Sequence, residues 1–169
     1  MDEILTQWHR ERPELDVAAL GTYGRLFRAV QLSQDVLADG LAAHRLQRGW
    51  FDLLAALRRA GAPYELTPTQ LMRATMLSSS GMTKRLDRMA EAGLIERRPD
   101  PHDRRGTLVR LTRRGRSVTD KAVETHVANE ERLLDPLTAA ECRTLDRLLK
   151  KLLVPLEQAQ PADSEAAES

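Results

Sequence analysis

The stretch Ser78–Leu111, SSSGMTKRLDRMAEAGLIERRPDPHDRRGTLVRL, contains the patterns that decide the fold class. Residues 79–92 have the periodicity of an amphipathic helix that ends at Gly93. On a wheel of about 100° per residue, one face of this helix is apolar and comprises Met82, Leu86, Met89 and Ala90. The opposite face carries short polar groups and cations, namely Ser80, Gly81, Lys84 and Arg88. The apolar face is therefore expected to enter a core.

The second part of the same stretch predicts a β-hairpin with a basic loop. An extended run begins at Leu94-Ile95, and Thr107–Leu111 alternates and is rich in strand formers. Between them, residues 97–106 contain two prolines and a glycine, so a loop is expected there. This loop is basic and includes Arg97, Arg98, His102, Arg104 and Arg105.

A further helix is predicted immediately before this stretch. Thr67 is a suitable N-cap and Pro68 suits the first helical position, so we expect a helix over 67–75 and a turn at 76–78. The resulting order is helix, turn, basic helix, strand, loop, strand. That order is typical of a winged helix-turn-helix domain, whose second helix enters the major groove of DNA.

This arrangement predicts which side chains contact DNA. Short polar groups on the second helix suit base edges, and long cations suit phosphates. Arginines at a hairpin tip can enter a narrow minor groove. The predicted DNA-binding residues are Ser79, Ser80, Thr83, Lys84, Arg88, Arg98, His102, Arg104 and Arg105. The alternative is that the outer face of the helix is an ordinary solvated surface.

The flanking sequence is predicted to be helical over 2–10, 16–43, 46–60, 112–134 and from Thr138 to about residue 157. Segment 46–60 is apolar nearly all round, which is typical of a helix buried between layers. The last helix carries a leucine stripe, at positions 145, 148, 149, 152, 153 and 156. A single small module cannot cover this stripe, so we expect a dimer.

The fold class expected is therefore mainly α, a winged helix-turn-helix with a two-stranded wing, a helical dimerisation domain and an extra N-terminal helix. We expect one domain over residues 1–157. Its parts are a DNA-binding lobe at 46–112 and dimerisation helices at 1–45 and 113–157. Residues 158–169 lack periodicity and are expected to form a disordered tail.

Composition and charge exclude several other classes. The net charge is +1, but residues 78–116 carry eleven basic and five acidic side chains, a local excess of +6 that suits a DNA-binding lobe. Cys142 is the only cysteine, so an intrachain disulfide is excluded, and with scattered histidines no metal site is expected. No membrane span or signal peptide is apparent, which predicts a cytoplasmic protein. No catalytic motif is apparent either, so we expect no enzyme and no catalytic residues.

Asp52 is the one acidic residue on the otherwise apolar helix 46–60. A buried carboxylate needs a partner or changes its protonation. Arg85 lies beside the core face of the helix 79–92 and is the natural partner, which would link the scaffold to the DNA-reading helix. The alternative is that Asp52 lies at a solvated boundary between packed elements and that Arg85 contacts a phosphate.

The motif order from Leu66 to Leu111 resembles that of the MarR family of bacterial transcriptional regulators. The segments that carry the resemblance are residues 78–88, Gly93-Leu94-Ile95 and Asp103-Arg104-Arg105-Gly106. It spans about residues 16–157. The resemblance implies a homodimer formed by the first and last helices, with two recognition helices and two wings on a pseudo-palindromic operator in double-stranded DNA.

Two further segments, 8–16 and 51–64, are similar to the PecS-type, urate-responsive branch of that family. Carried over by position, Trp8, Asp52 and Arg85 would form the ligand site, with no cofactor. The Trp ring would stack on a purine such as urate, the arginine would pair with the anion, and the repelled Asp52 would loosen its link to Arg85. A fourth polar pocket residue has no clear match, and Gln31 is a guess.

Two other regulatory hypotheses remain open. A MarR-type regulator can respond to a phenolic or other small organic anion, and a redox-sensing regulator would use a reactive cysteine. Cys142 stands at the start of the last predicted helix, where a helix N-terminus can activate a thiol, although packing is the more ordinary role.

Overall fold

The computed structural model of the chain describes residues 1–75, 81–101, 103 and 105–159. These residues form seven helices and three strands, in the order α1 (Asp2–Glu11), α2 (Ala18–Ala42), α3 (Arg48–Arg59), β1 (Glu65–Leu66), α4 (Pro68–Ala74), α5 (Met82–Glu91), β2 (Ile95–Pro99), β3 (Thr107–Leu111), α6 (Arg113–Leu134) and α7 (Ala139–Ala159). The mainly helical winged-helix class is confirmed. None of the helices in the described ranges is long and apolar enough to cross a membrane.

The strands form one antiparallel sheet in the order β1-β3-β2. In the hairpin, Ile95 pairs with Leu111, and on the other side of β3, Leu66 pairs with Val109. The predicted two-stranded wing is therefore present, and β1 extends it to three strands. A strand of two residues is too short for alternation to be visible in the sequence.

The wing loop is shorter than predicted. Strand β2 continues to Pro99, so Arg97 and Arg98 are strand residues and not loop residues. Because β2 lies at the edge of the sheet, a proline at its end does not interrupt a central ladder. The proline at position 99 therefore did not exclude a strand.

The core is built around α3, whose central residues are almost fully buried: Phe51, Leu53, Leu54, Ala55, Ala56 and Leu57. Helices α4 and α5 contribute Leu71 and Met89, and β3 contributes Val109, each of them completely buried. Burial of such side chains stabilises a fold by about 1.5–3 kcal/mol each. The prediction that segment 46–60 lies between layers is confirmed.

Helix α4 begins as predicted, whereas α5 begins later. The Thr67 hydroxyl accepts from Gln70 N, and the Gln70 side chain accepts from Thr67 N, which forms a capping box. The predicted start of α5 at residue 79 is wrong, because Gly81 has a φ of +78° and precedes the first helical residue, Met82. Glycine adopts this left-handed conformation without steric cost.

The start of α6 is fixed against the turn that follows α5. Thr112, the predicted cap, accepts from Gly115 N at 2.8 Å and donates to the Gly93 carbonyl at 2.8 Å. A Cβ at Gly115 would lie only 1.8 Å from the carbonyl oxygen of Leu94. The close approach of α6 to this turn therefore requires glycine at position 115.

Helix α1 packs against α2 through small residues. A Cβ at Gly21 would lie 3.0 Å from Leu5 Cδ1, and Gly24 is covered by the side chain of Met1. The predicted cap Asp16 lies just before α2, and its Oδ1 accepts from Ala18 N at 3.0 Å. The expected extra N-terminal helix is present.

Contacts divide the chain into two compact units, Met1–Glu130 and the residues from Glu131 on. In the second unit, Thr138 and Glu141 cap the start of α7. The predicted tail begins too early, because α7 continues to Ala159 and includes Gln158. Glu, Gln and Ala are good helix formers, so the helix does not end where the leucine pattern stops. Residues 160–169 lie outside the described residues.

Candidate nucleic-acid interface

Helix α5 has one buried and one exposed face. Met82, Leu86 and Met89 are buried, and the predicted DNA-binding residues Thr83, Lys84 and Arg88 are exposed. The division of this helix into a core face and an outer cationic face is therefore as predicted. Long cations on an exposed helix face can reach phosphates on both sides of a groove.

The wing places further cations beside α5. Arg98 is exposed on β2, and Arg105 is exposed in the loop. The loop is closed by Asp103, whose Oδ1 accepts from Arg105 N at 2.9 Å, and by the bond from Asp100 N to Gly106 O at 3.0 Å. The aspartate therefore orients the main chain at Arg105.

Four predicted DNA-binding residues lie outside the described residues: Ser79, Ser80, His102 and Arg104. Their interactions with DNA remain predictions. The described members of the predicted set are Thr83, Lys84, Arg88, Arg98 and Arg105, and all five are exposed.

Arg97 joins the wing to α5, a role that the sequence did not indicate. Its Nη2 lies 2.8 Å from Asp87 Oδ1 and 3.4 Å from the Thr83 carbonyl oxygen. The only signal in the sequence was the opposite charge of the two side chains. The link sets the position of the wing relative to the helix that carries Lys84 and Arg88.

A recess of about 240 Å³ separates the start of α3 from α5. Its lining comprises Gln47, Gly49, Trp50, Gly81, Lys84, Arg85 and Arg88. Arg85, predicted as a ligand residue, lies here, with its Nε 3.2 Å from where a Cβ of Gly49 would be. Trp50 was not predicted as a functional residue, because on an apolar helix it resembled an ordinary core side chain.

Asp52 lines a different space, a cavity of about 460 Å³ bordered by α2, α3 and α6. Its lining comprises Gln34, Asp35, Leu37, Ala38, Leu41, Arg48, Phe51, Asp52, His126 and Glu130. Burial raises the pKa of the Asp52 carboxyl above its ordinary value, and Arg48 is the strongest of the cations that oppose this rise.

Asp52 and Arg85 form no ion pair in the described part of the chain. Arg85 lies against Gly49 instead, and Asp52 is half-buried at the wall of the cavity. The charge of Arg85 lowers the pKa of the Asp52 carboxyl, but less than that of Arg48 does. The predicted direct pair is therefore not formed, and Asp52 lines the cavity instead.

Trp8, the third predicted ligand residue, is not brought to either space. It lies on α1 with 43% of its surface exposed and does not line the cavity or the recess. The guessed fourth residue, Gln31, is exposed on α2. Trp8, Asp52 and Arg85 therefore do not line a common site within this chain.

The chain is similar in sequence to known proteins. Residues 45–106 match the model of the MarR family. Over 152 residues the chain is 38% identical to the HTH-type transcriptional regulator PecS of Dickeya dadantii, and the match covers 90% of this chain and 92% of that protein. The chain belongs to the MarR family.

Other members of the MarR family give the same result. The multiple antibiotic resistance protein MarR of Escherichia coli is 33% identical over 132 residues, which cover 77% of this chain and 90% of that protein. AbsC, a MarR family transcriptional regulator from Streptomyces coelicolor, superposes with a TM-score of 0.76 at 26% identity, covering 85% of this chain and 97% of AbsC.

A mutant MarR from E. coli solved in complex with operator DNA superposes with a TM-score of 0.68 at 28% identity, covering 86% of this chain and 97% of that chain. MarR-family regulators thus bind operator DNA with this fold. The chain is a DNA-binding transcriptional regulator, and the prediction that it is not an enzyme is confirmed by its family.

The described residues indicate no metal site. Among them, no group of three His, Cys, Asp or Glu side chains could hold a metal ion. Cys142 is a free, half-buried cysteine on α7, and its Sγ contacts the Leu137 carbonyl oxygen at 4.0 Å.

Proposed function

We propose that this MarR-family protein is a cytoplasmic repressor that binds a palindromic operator as a homodimer and is released by urate or a related purine. The observation that carries the DNA-binding part is the exposed cationic face of α5. Lys84 and Arg88 project from a helix whose opposite face is buried, and the wing adds Arg98 and Arg105 beside it. Such a face suits the phosphate backbone and the major groove.

The homodimer is supported by two apolar surfaces that the single chain leaves exposed. On α2 they are Leu20, Tyr23, Phe27 and Val30, and on α7 they are Leu148, Leu152, Leu153 and Leu156. Contiguous apolar surface of this kind is typical of an interface between subunits. A twofold-symmetric dimer presents two copies of α5 and therefore requires an operator with the same symmetry.

We expect the protein to sediment as a particle of twice the 19.0 kDa of one chain. The double variant Leu148→Glu/Leu152→Glu should sediment as a single chain, because it places two charges on the apolar surface of α7. Lys150→Gln, which changes an exposed charge on the same helix, is the control and should remain dimeric. A wild-type mass of one chain at micromolar concentration would contradict the dimer.

The effector is proposed to enter the cavity beside Asp52. Helix α3 forms the wall between this cavity and the recess at α5, since Arg48, Phe51 and Asp52 line the former whereas Gly49 and Trp50 line the latter. An anion next to Asp52 would repel the carboxylate, and a displacement of α3 would alter the position of Arg85. Trp8 can join this site only if α1 moves or if α1 of a second copy supplies it.

The ligand affects operator binding only to the extent that it prefers one state of the protein. A typical coupling free energy is about 1–3 kcal/mol. The similarity to PecS supports a purine effector, because Trp8, Asp52 and Arg85 match the branch by position. The alternatives are a phenolic or other small organic anion and oxidation of Cys142.

Thermal-shift measurements with urate, xanthine, hypoxanthine, salicylate and a dicarboxylate distinguish these alternatives, since a ligand that binds the folded state raises the melting temperature. Stabilisation by urate or xanthine supports the purine, and stabilisation by salicylate alone supports the phenolic anion. A response only to an oxidant, abolished in Cys142→Ser, supports redox control. The operator itself is obtained by selection from a pool of random duplexes.

A further inference from the structure

The recess between α3 and α5 has an unbalanced charge. Among the residues that the structure describes, its lining contains three cations, Lys84, Arg85 and Arg88, and no carboxylate. The remaining side chains of the lining are neutral. A concave surface with this composition attracts an anion because no acidic group in its wall offsets the positive potential.

The N-terminus of α3 adds to this potential. The helix has 12 residues, its N-cap Gln47 provides no side-chain hydrogen bond, and its first turn contains no acidic residue. The first N–H groups of a helix commonly lack acceptors, although Trp50 N donates here to the Gln47 carbonyl oxygen at 2.9 Å, and the helix dipole favours a negative charge at this end. Gln47, Gly49 and Trp50 bring this end of α3 into the lining of the recess.

Two side chains of the lining carry buried donors without an acceptor. In the part of the chain that the structure describes, Trp50 Nε1 and Arg85 Nη1 are buried and make no hydrogen bond. Unpaired buried donors destabilise a protein, and the effect is larger for a charged group. Both side chains line the same cationic recess, so an acceptor that enters the recess is a suitable partner for them.

We propose that this recess holds one backbone phosphate of the bound duplex, with Trp50 and Arg85 as donors to its oxygens. The proposal rests on the DNA-binding function proposed above and adds α3 to the DNA-binding surface. An oxyanion is the acceptor that matches two N–H donors, a helix N-terminus and three cations. DNA is favoured over a free anion because Lys84 and Arg88 belong both to the recess and to the exposed outer face of α5.

A phosphate held in this way positions the protein and carries no sequence information. Removal of its donors should therefore weaken binding to the operator and to an unrelated duplex by the same factor. In contrast, removal of a group that reads a base would weaken the operator complex selectively.

The test is Trp50→Phe, which keeps a ring in the half-buried position and removes Nε1. We expect operator affinity, measured by fluorescence anisotropy, to fall about tenfold or more, as for removal of a hydrogen bond to a charged group. Affinity for a scrambled duplex should fall by the same factor. The melting temperature of the free protein shows whether the variant is folded.

Arg85→Gln is the second variant and has its own readout. It should lower the dependence of log affinity on log salt by about 0.9 for each phosphate that the variant no longer neutralises. Lys121→Gln, an exposed cation on α6 outside the recess, is the matched control and should retain the wild-type slope.

The outcomes separate this proposal from the broader function. The proposed phosphate site is wrong if Trp50→Phe is folded and binds both duplexes like the wild type, or if Arg85→Gln keeps the wild-type salt dependence. Operator binding itself would not be contradicted by either result. If inorganic phosphate stabilises the protein through Arg85 while Trp50→Phe leaves DNA affinity unchanged, the recess holds a free anion and the proposal is again wrong. If the wild type binds no duplex, the proposed function itself fails.

Discussion

Reversing the charges of Lys84 and Arg88 together should reduce operator affinity by about 100-fold or more, because repulsion replaces two attractive interactions with DNA in every chain, each worth roughly 1–3 kcal/mol. Both side chains are exposed on α5, whose opposite face is buried. The variant Lys84→Glu/Arg88→Glu therefore changes the outer face and spares the core. Fluorescence anisotropy at several salt concentrations measures the effect.

Lys121→Glu provides the matched control, since it reverses one exposed charge on α6 and leaves α5 and the wing unaltered. It should bind the operator nearly as the wild type does. The double variant should also show a weaker salt dependence, because fewer counterions are released from the DNA. Wild-type affinity in the double variant would show that α5 does not face the duplex.

Gly115→Ala should destabilise the fold by about 3 kcal/mol, at the upper end of the usual cost of overpacking. The new Cβ would lie 1.8 Å from the Leu94 carbonyl oxygen, which is part of the main chain and cannot rotate away. For a chain of this length, a destabilisation of about 3 kcal/mol lowers the melting temperature by roughly 6–12 °C. Thermal unfolding followed by circular dichroism checks this value.

Gly24→Ala is the control for the glycine variant. It also replaces a helical glycine, but the new Cβ would meet the end of the flexible Met1 side chain. Because alanine favours a helix by about 1 kcal/mol over glycine, Gly24→Ala should leave the melting temperature unchanged or raise it. If both variants melt alike, α6 and the turn after α5 are not as close as described.

The elements with strong local signals could be predicted from the sequence. The cap at Thr67 with Pro68 in the first helical position and the apolar face of α5 depend on neighbouring residues in the chain, so their physical causes are visible there. The start of α5 was misplaced because the serines before Gly81 resemble helix caps, whereas the left-handed conformation of Gly81 determines the first helical residue.

Features that depend on distant parts of the chain were not predictable. The pairing of β1 with β3 joins residues more than 40 positions apart, for example Leu66 and Val109. The link between Arg97 and Asp87 and the recess that contains Trp50 likewise arise only after packing. Sequence periodicity assigns a residue to a face, but it does not identify the residue opposite to it.

The predicted ligand residues illustrate the same limit. Asp52 was recognised correctly as an unusual group on an apolar helix. Burial of its carboxyl raises its pKa, as expected for an acidic group among apolar residues. Its partner could not be deduced, because the cation with the largest effect on its pKa is Arg48 on the same helix, whereas Arg85 lies against Gly49.

The most direct test of the central claim, that a small anion controls operator binding through Asp52, is a titration of the selected operator with and without about 1 mM urate. The affinity of the wild type should fall by about 5- to 150-fold, the range of typical coupling between two sites. Asp52→Asn should respond much less, because the repulsion between the anion and the carboxylate is removed. Unchanged wild-type affinity, or equal responses of the two proteins, would contradict the account.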